Sequence, residues 1–184
     1  MYPFLRFFYN QYKSKRKPKL NHIFEESTLN MTVWPTDIDL FMELNNGRYL
    51  TLMDMGRFDI GHRIDLFKIM KKRKWSLMVG AVSGRFRRRL KPFQRFTLHT
   101  QLIHFDHRWF YFKQSFIAKG KIHASFLVRT ALVSKDGLVP TEDVVQALNL
   151  DTEWIAENNH KNDWLESWLV SDEIHKEMME NMQI

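Results

Sequence analysis

Within residues 34–49, WPTDIDLFMELNNGRY, three carboxylates (Asp37, Asp39 and Glu43) stand just ahead of an Asn45-Asn46 pair that opens a helix-like segment. A helix start presents N–H groups with no partner inside the helix, together with a partial positive charge. A carboxylate beside such an end can act on a carbonyl whose oxygen those N–H groups polarise. That is the minimum equipment for acyl-transfer hydrolysis, with the carboxylate as general base or nucleophile. The same residues also admit a purely local role, because Asp and Asn cap helices and Asp39 and Asn45 fit that position.

A second candidate site is the run Arg85-Phe86-Arg87-Arg88-Arg89-Leu90-Lys91. Strand alternation places Arg85, Arg87 and Arg89 on one face, with Phe86, Arg88 and Leu90 on the other. Guanidinium groups bind phosphate bidentately; the alternative is a charged strand protecting a sheet edge. Metal chemistry is not expected. The eight histidines include His99, His104, His107 and His123, scattered without a metal-binding spacing. The carboxylates of Asp37, Asp39 and Glu43 lack the oxygen ligand and following Gly of a calcium loop. No glycine-rich phosphate loop and no G-x-S-x-G elbow is present. Nucleic acid is not an expected partner either, since the aromatics interleave with apolar positions and no nucleic-acid motif is visible.

The elements that must position these residues follow from hydrophobic spacing. With 184 residues, 44% of them hydrophobic, and only seven glycines and five prolines, the chain suits one domain with a real core plus appendages. Leu29–Val33 is β-compatible. Asn46–Phe67 reads as a helix with Tyr49, Leu52, Met53, Gly56, Ile60, Ile64 and Phe67 on one stripe and Arg48, Arg57 and Arg63 away from it. Gly56 on that stripe would permit close approach to a sheet. After Trp75 the period changes, and Leu77–Leu90, Phe96–Phe105, Trp109–Ala118 and Ile122–Ser134 read as four strands. Their connections are short, so neighbouring strands are antiparallel. Thr141 is placed to cap a short helix, and Trp154, Ile155, Trp164, Leu165, Trp168 and Leu169 suggest one or two amphipathic helices in the tail. The order predicts an α+β domain with one sheet around one helix.

Charge is uneven along the chain. The net charge is +7, but residues 151–184 hold nine acidic residues against Lys161 and Lys176, leaving the first 150 residues strongly basic. A basic body suggests phosphate-bearing partners, and the acidic tail either docks on that body or keeps it soluble. Residues 1–20, MYPFLRFFYNQYKSKRKPKL, read neither as a secretory signal nor as a membrane span. Leu5, Phe8, Tyr9 and Tyr12 share one helical face, with Lys13, Lys15, Arg16, Lys17 and Lys19 following. Two readings stand: an aromatic-basic helix on an anionic membrane surface, or an arm packed on the body or on a second subunit. The lack of cysteine excludes a disulfide scaffold and a thiol nucleophile, and fits a reducing cytoplasm.

These residues and their order resemble the hotdog-fold thioesterases, in the branch that includes 4-hydroxybenzoyl-CoA thioesterase. That branch carries D-x-D-x-x-G-H-x-N-N-x-x-Y, and Asp37, Asp39, Asn45, Asn46 and Tyr49 fall on it. Asp54 and Arg57 match an acidic residue and Arg on the following helix. Lys91-Pro92-Phe93-Gln94 is similar to the segment after the second strand. Met1-Tyr2-Pro3-Phe4-Leu5-Arg6 is similar to the opening of bacterial acyl-CoA thioesterase-like proteins. The Gly-His of the pattern is Met42-Glu43 here, which implies a different turn into the helix and a second carboxylate near Asp39. Like charge there would raise the pKa of Asp39.

The resemblance covers about residues 28–148, leaving 1–27 as an N-terminal arm and 149–184 as a helical C-terminal extension. It implies a hotdog fold, an antiparallel sheet wrapped around a long central helix. It implies an acyl-CoA thioesterase-like enzyme needing no cofactor beyond its coenzyme A substrate, with Asp39 as base or nucleophile and the Asn46 N–H on the carbonyl. Glu43 and Asp54 join them as candidate catalytic residues, with Asn45, Tyr49, Arg85, Arg87 and Arg89 as candidate substrate contacts. The family implies a homodimer or dimer of dimers. The expected location is cytoplasmic, with residues 1–20 touching the inner face of a membrane under the first reading of that arm. A non-catalytic acyl-CoA- or lipid-binding hotdog protein is the second functional reading.

Overall fold

Alternating apolar residues after Trp75 form four long strands of one antiparallel sheet in the computed structural model, which describes residues 3–182. The Met1-Tyr2 part of the opening motif lies outside that range. Ahead of these strands come helix α1 (Phe4–Ser14), strand β1 (Ser27–Thr32), a single 3-10 turn at Pro35–Asp37, and helices α2 (Asn46–Arg63) and α3 (Leu66–Arg73). The four strands are β2 (Ser76–Phe86), β3 (Arg95–Phe105), β4 (Phe110–Ala118) and β5 (Lys121–Ser134); β3, β4 and β5 form a meander, whereas β2 pairs with β5 and not, despite the short connection, with β3. A short β6 (Gly137–Leu138) then leads to α4 (Thr141–Ala147), α5 (Thr152–Asn158) and α6 (Asp163–Asn181). The strands make one sheet in the order β1-β3-β4-β5-β2, with β6 beside β5. Every pairing is antiparallel.

The pleat sets the core. Phe116 lies opposite Leu98 on β3 and Ala124 on β5, and all three are buried against Leu52 and Met53 of α2. Burying side chains the size of Leu98 and Phe116 contributes about 1.5–3 kcal/mol each. Gly56 holds α2 close to the sheet as expected, because a Cβ there would lie 2.1 Å from Thr100 Oγ1. The helix covers a shorter span than its periodicity suggested. Asp65 takes a left-handed φ of 60° and breaks it, so Phe67 belongs to α3. Arg57 also differs: instead of lying away from the core it is buried, paired with Asp54 and bonded to the fully buried Gln114. Gln114 donates in turn to Met53 O and Thr100 Oγ1, both at 2.9 Å. A polar network replaces apolar packing at this level of the helix.

The terminal helices contain further differences. In α1 the aromatic stripe faces outward, while Arg6 and Ser14 are buried. In α6 the first half docks, with Leu165 buried beside Tyr111 and Leu127 and Asp172 paired to Arg129 at 2.5 Å. Every described residue from Glu173 onward is exposed, so the acidic tail both docks and remains in solvent. Thr141 does not cap α4. It follows Pro140 as the first helical residue, and its hydroxyl donates to Asp106 O at 2.5 Å.

Candidate functional site at the start of α2

The loop between the 3-10 turn and α2 folds back on itself through an antiparallel bridge between Ile38 and Leu44. Asp39 organises its tip. Its Oδ1 accepts from the Phe41 N–H at 2.9 Å and, at longer range, from the Glu43 N–H at 3.4 Å. Among the described residues nothing bonds to Asp39 Oδ2. Met42 sits at φ 56°, the left-handed conformation that Gly favours. The turn therefore keeps a glycine-like backbone with a methionine in it, in place of the altered turn that the loss of Gly implied.

Asn45 is the N-cap of α2, its side chain accepting from the Gly47 N–H at 2.9 Å. Capping accounts for Asn45, whereas Asp39 bonds its own turn and caps no helix. The next N–H, that of Asn46, has no acceptor among the described residues. It opens α2 as one of the orphan donors of a helix start. Beside it lies an open groove of about 170 Å³, lined by Glu43, Asn46, Tyr49 and the run from Phe86 to Leu90. Tyr49 is buried against Phe86 and Phe116, with ring centroids 5.1 and 4.7 Å away. Burial, and then the nearby Glu43 carboxylate, push its phenol up to about 12.

The arginine run reaches the groove by leaving the sheet. β2 ends at Phe86, and the N–H groups of Arg87 and Arg88 both donate to His123 O, which closes the pairing there. The expected alternation of Arg85, Arg87 and Arg89 on one strand face is therefore not realised. Arg85 stays in β2 opposite Ser125, while Arg87, Arg88 and Arg89 line the groove. Arg88 was assigned to the opposite face by strict alternation. Only the early end of the strand, unmarked in an unbroken basic run, brings it in. Arg89 Nε pairs with Glu43 Oε2 at 3.0 Å. Glu43 thus answers an arginine, rather than standing as an unpaired charge beside Asp39.

The other named residues lie apart. Asp39 is not itself among the groove's lining residues; it sits in the turn that leads to Glu43, which is. Asn45 opens on a neighbouring depression with Arg48 and Thr51. Asp37 is buried between Arg6 and Arg48, at 2.7 and 3.2 Å, so it is a structural carboxylate. Asp54 lies two turns along α2, about 12 Å from Asn46. Burial raises its pKa against the opposing pull of Arg57. Among the described residues no group of three or more His, Asp or Glu side chains is arranged to hold a metal ion.

A helix start beside a groove, behind a carboxylate loop and under a curled antiparallel sheet, matches known proteins. The family model of the thioesterase-like superfamily matches residues 33–148. The chain belongs to that superfamily. Within it, Protein THEM6 of Danio rerio is 34% identical over 116 residues, covering 62% of this chain and 57% of that protein. The chain spans about half the length of such curated relatives, 57% and 51% for the fish and frog proteins. Fly and yeast proteins match as well, and these eukaryotic relatives give no support to the bacterial source suggested by the opening residues. The probable thioesterase YbaW of Escherichia coli shares the fold with a TM-score of 0.61 at 20% identity, over 66% of this chain and 95% of that one. The 1,4-dihydroxy-2-naphthoyl-CoA thioesterase of Synechocystis does so with a TM-score of 0.59 at 12% identity, over 70% and 98%. These likenesses show the hotdog-like thioesterase fold.

Proposed function

We propose that this chain hydrolyses an acyl-CoA thioester to the free acid and coenzyme A, within the 4-hydroxybenzoyl-CoA thioesterase-like branch of the superfamily. The observation that carries this reading is the Asn46 N–H, which opens α2 without an acceptor beside a groove rimmed by Arg87, Arg88 and Arg89. A thioester carbonyl seated on that N–H gains negative charge during attack, against the positive end of α2. Asp39 supplies the carboxylate. One of its oxygens is fixed by the Phe41 N–H and the other is open to take a proton from water or to attack the carbonyl. In either course the sulfur leaves as thiolate, and water supplies the oxygen of the free acid. The arginines meet the phosphates of coenzyme A, and no cofactor takes part.

The edge strand β2 supports assembly into a homodimer or dimer of dimers. It exposes Met78, Val79, Val82 and Phe86 along an unpaired edge, a surface that invites pairing with another chain. Phe86 and the arginines at the end of this strand place the groove next to such a joint. The cysteine-free composition suits a cytoplasmic enzyme.

Release of free thiol from a panel of acyl-CoAs tests the assignment. Asp39→Asn should lower kcat/KM by about 10²–10⁴-fold. Glu43→Gln should cost about tenfold or less, because it removes one half-exposed ion pair. If the parent turns over no acyl-CoA, or Asp39→Asn matches it, the catalytic reading fails. If Glu43→Gln is the more damaging change, the base is Glu43. One observation favours the second reading, a binding-only hotdog protein: Glu43 stands where the family pattern has His and is tied to Arg89. Saturable acyl-CoA binding without thiol release would select it.

A further inference from the structure

Helix α1 is fastened to the body by its polar side. Arg6, only 5% exposed, pairs with Asp37 and lies over the Trp34 ring at 4.3 Å. Ser14 donates to Asp59 Oδ1 at 2.5 Å, Gln11 meets His62, and Phe7 packs edge-on against Phe58. The opposite side is left as a convex ridge, with Leu5 83% and Phe8 63% exposed and Phe4, Tyr9 and Tyr12 beside them. A contiguous apolar surface of this kind marks an interaction site.

Cations frame the ridge. Lys13 lies over the Tyr9 ring at 4.6 Å and Arg16 over the Tyr12 ring at 3.8 Å. Next to its C-terminal end is a groove of about 550 Å³ whose lining includes Lys15, Lys19, His62, Asp65, Lys68 and Lys71. Asp65 holds Lys19 at 2.5 Å and Lys68 at 2.8 Å. Lys15 and Lys71 have no carboxylate partner among the described residues. The chain has no acidic residue before Glu25, and the nearby Asp37 and Asp59 are buried and paired.

We propose that the α1 ridge and the adjoining lysine-lined groove form a docking surface for an anionic lipid bilayer. The ridge is convex and apolar, so it enters the soft boundary of the acyl region, where aromatic rings with polar tips are well placed. The groove lies at headgroup level, and Lys15 and Lys71 meet lipid phosphates there. Charge selects this occupant over a second copy meeting ridge to ridge, which would bring Lys13, Lys15 and Arg16 of both chains together. At eleven residues α1 is about 16 Å long and lies flat on the surface. Among the described residues no helix is long and apolar enough to cross a membrane; the proposed contact is peripheral. It stands independently of the hydrolase reading.

Sedimentation of the full chain with phosphatidylcholine vesicles containing about 30% phosphatidylglycerol tests the surface. The parent should partition onto them and bind pure phosphatidylcholine at least about tenfold more weakly. Leu5→Glu combined with Phe8→Glu should lower partitioning at least about tenfold. Lys15→Ala combined with Lys71→Ala should lower it about twenty-five-fold, since each cation near the surface is worth a factor of about five. All four positions are at the surface, so the thermal midpoint and thiol release from soluble acyl-CoA should match the parent. A parent that fails to sediment with the mixed vesicles overturns the proposal, as do variants that bind like the parent. A ridge variant that changes only the oligomeric state, seen by light scattering, overturns it in favour of a contact between copies.

Discussion

Helices α1 and α2 lie against each other yet bury opposite kinds of surface. α2 turns Leu52, Met53 and Ile60 inward, as its spacing predicts. α1 turns Arg6 and Ser14 inward and leaves Leu5, Phe8 and Tyr12 in solvent. The cause lies in what α1 packs on. Asp59 of α2 is fully buried, accepts from Ser14 and Ser27 at 2.5 Å each, and has Lys17 at 3.0 Å. Asp37 ahead of α2 is buried as well, paired to Arg6 and Arg48. A buried carboxylate requires donors or a counter-charge, and α1 with its following lysines delivers them. Periodicity therefore identifies a helix's two faces, and the chemistry of the neighbouring surface selects the one that goes in.

Breaking the Asp37 contact gives the largest effect. Asp37→Ala leaves the Arg6 guanidinium buried without its carboxylate, and should cost about 3–5 kcal/mol in urea unfolding. Adding Arg6→Met should recover part of that loss, because one of the two arginines that faced Asp37 is then gone. A cost below about 1 kcal/mol for Asp37→Ala would mean that this ion pair is not what holds α1.

A smaller effect follows from pH. Burial, aided by Lys15 and Lys19 and opposed by Asp59, holds the His62 pKa below its ordinary 6.5. As pH falls through about 6.5, the unfolded chain takes this proton before the folded one does. The stability from neutral His62 is thus fully present above that pH and is lost progressively towards the lower folded pKa. The unfolding midpoint followed from about pH 8 to pH 5 should show this slope, and His62→Gln should flatten it relative to the parent. Equal slopes would show that burial does not hold His62 neutral in the folded protein.

The smallest effect is expected on the ridge. Leu5→Ser should change stability by no more than about 0.5 kcal/mol, whereas Leu52→Ala on the inner face of α2 should cost about 2–5 kcal/mol. A Leu5→Ser loss approaching that of Leu52→Ala would mean that the ridge is covered in the folded molecule.

The strands were legible because a half-buried sheet imposes a period of two, and Phe116, Ala118 and Ala124 obey it. Gly56 was legible because a glycine on an apolar helix stripe has a steric reason to be there. The helix start at Asn46 could be read from the Asn pair and the family spacing together. Arg57 was misplaced because its partner, Gln114, is 57 residues away on strand β4 and looks like any strand glutamine. Arg88 was misplaced on the opposite face, and Arg85 grouped with Arg87 and Arg89, because the strand ends where His123 O takes two N–H groups at once. Nothing in the basic run itself marks that position.

From the amino acids alone came the order of elements, the four antiparallel strands, the placement of a helix start behind a carboxylate loop, and the resemblance to hotdog thioesterases, but not the position of β2 beside β5. Those features rest on local spacing and short connections, which a linear chain records. Folding decided which face of α1 turns inward, that Arg87, Arg88 and Arg89 share a groove with Asn46, and that Glu43 answers Arg89. Each of these depends on charges and donors far apart in the chain. Their desolvation is tolerable only once they meet, so the pairing exists in three dimensions and leaves no periodic trace in one.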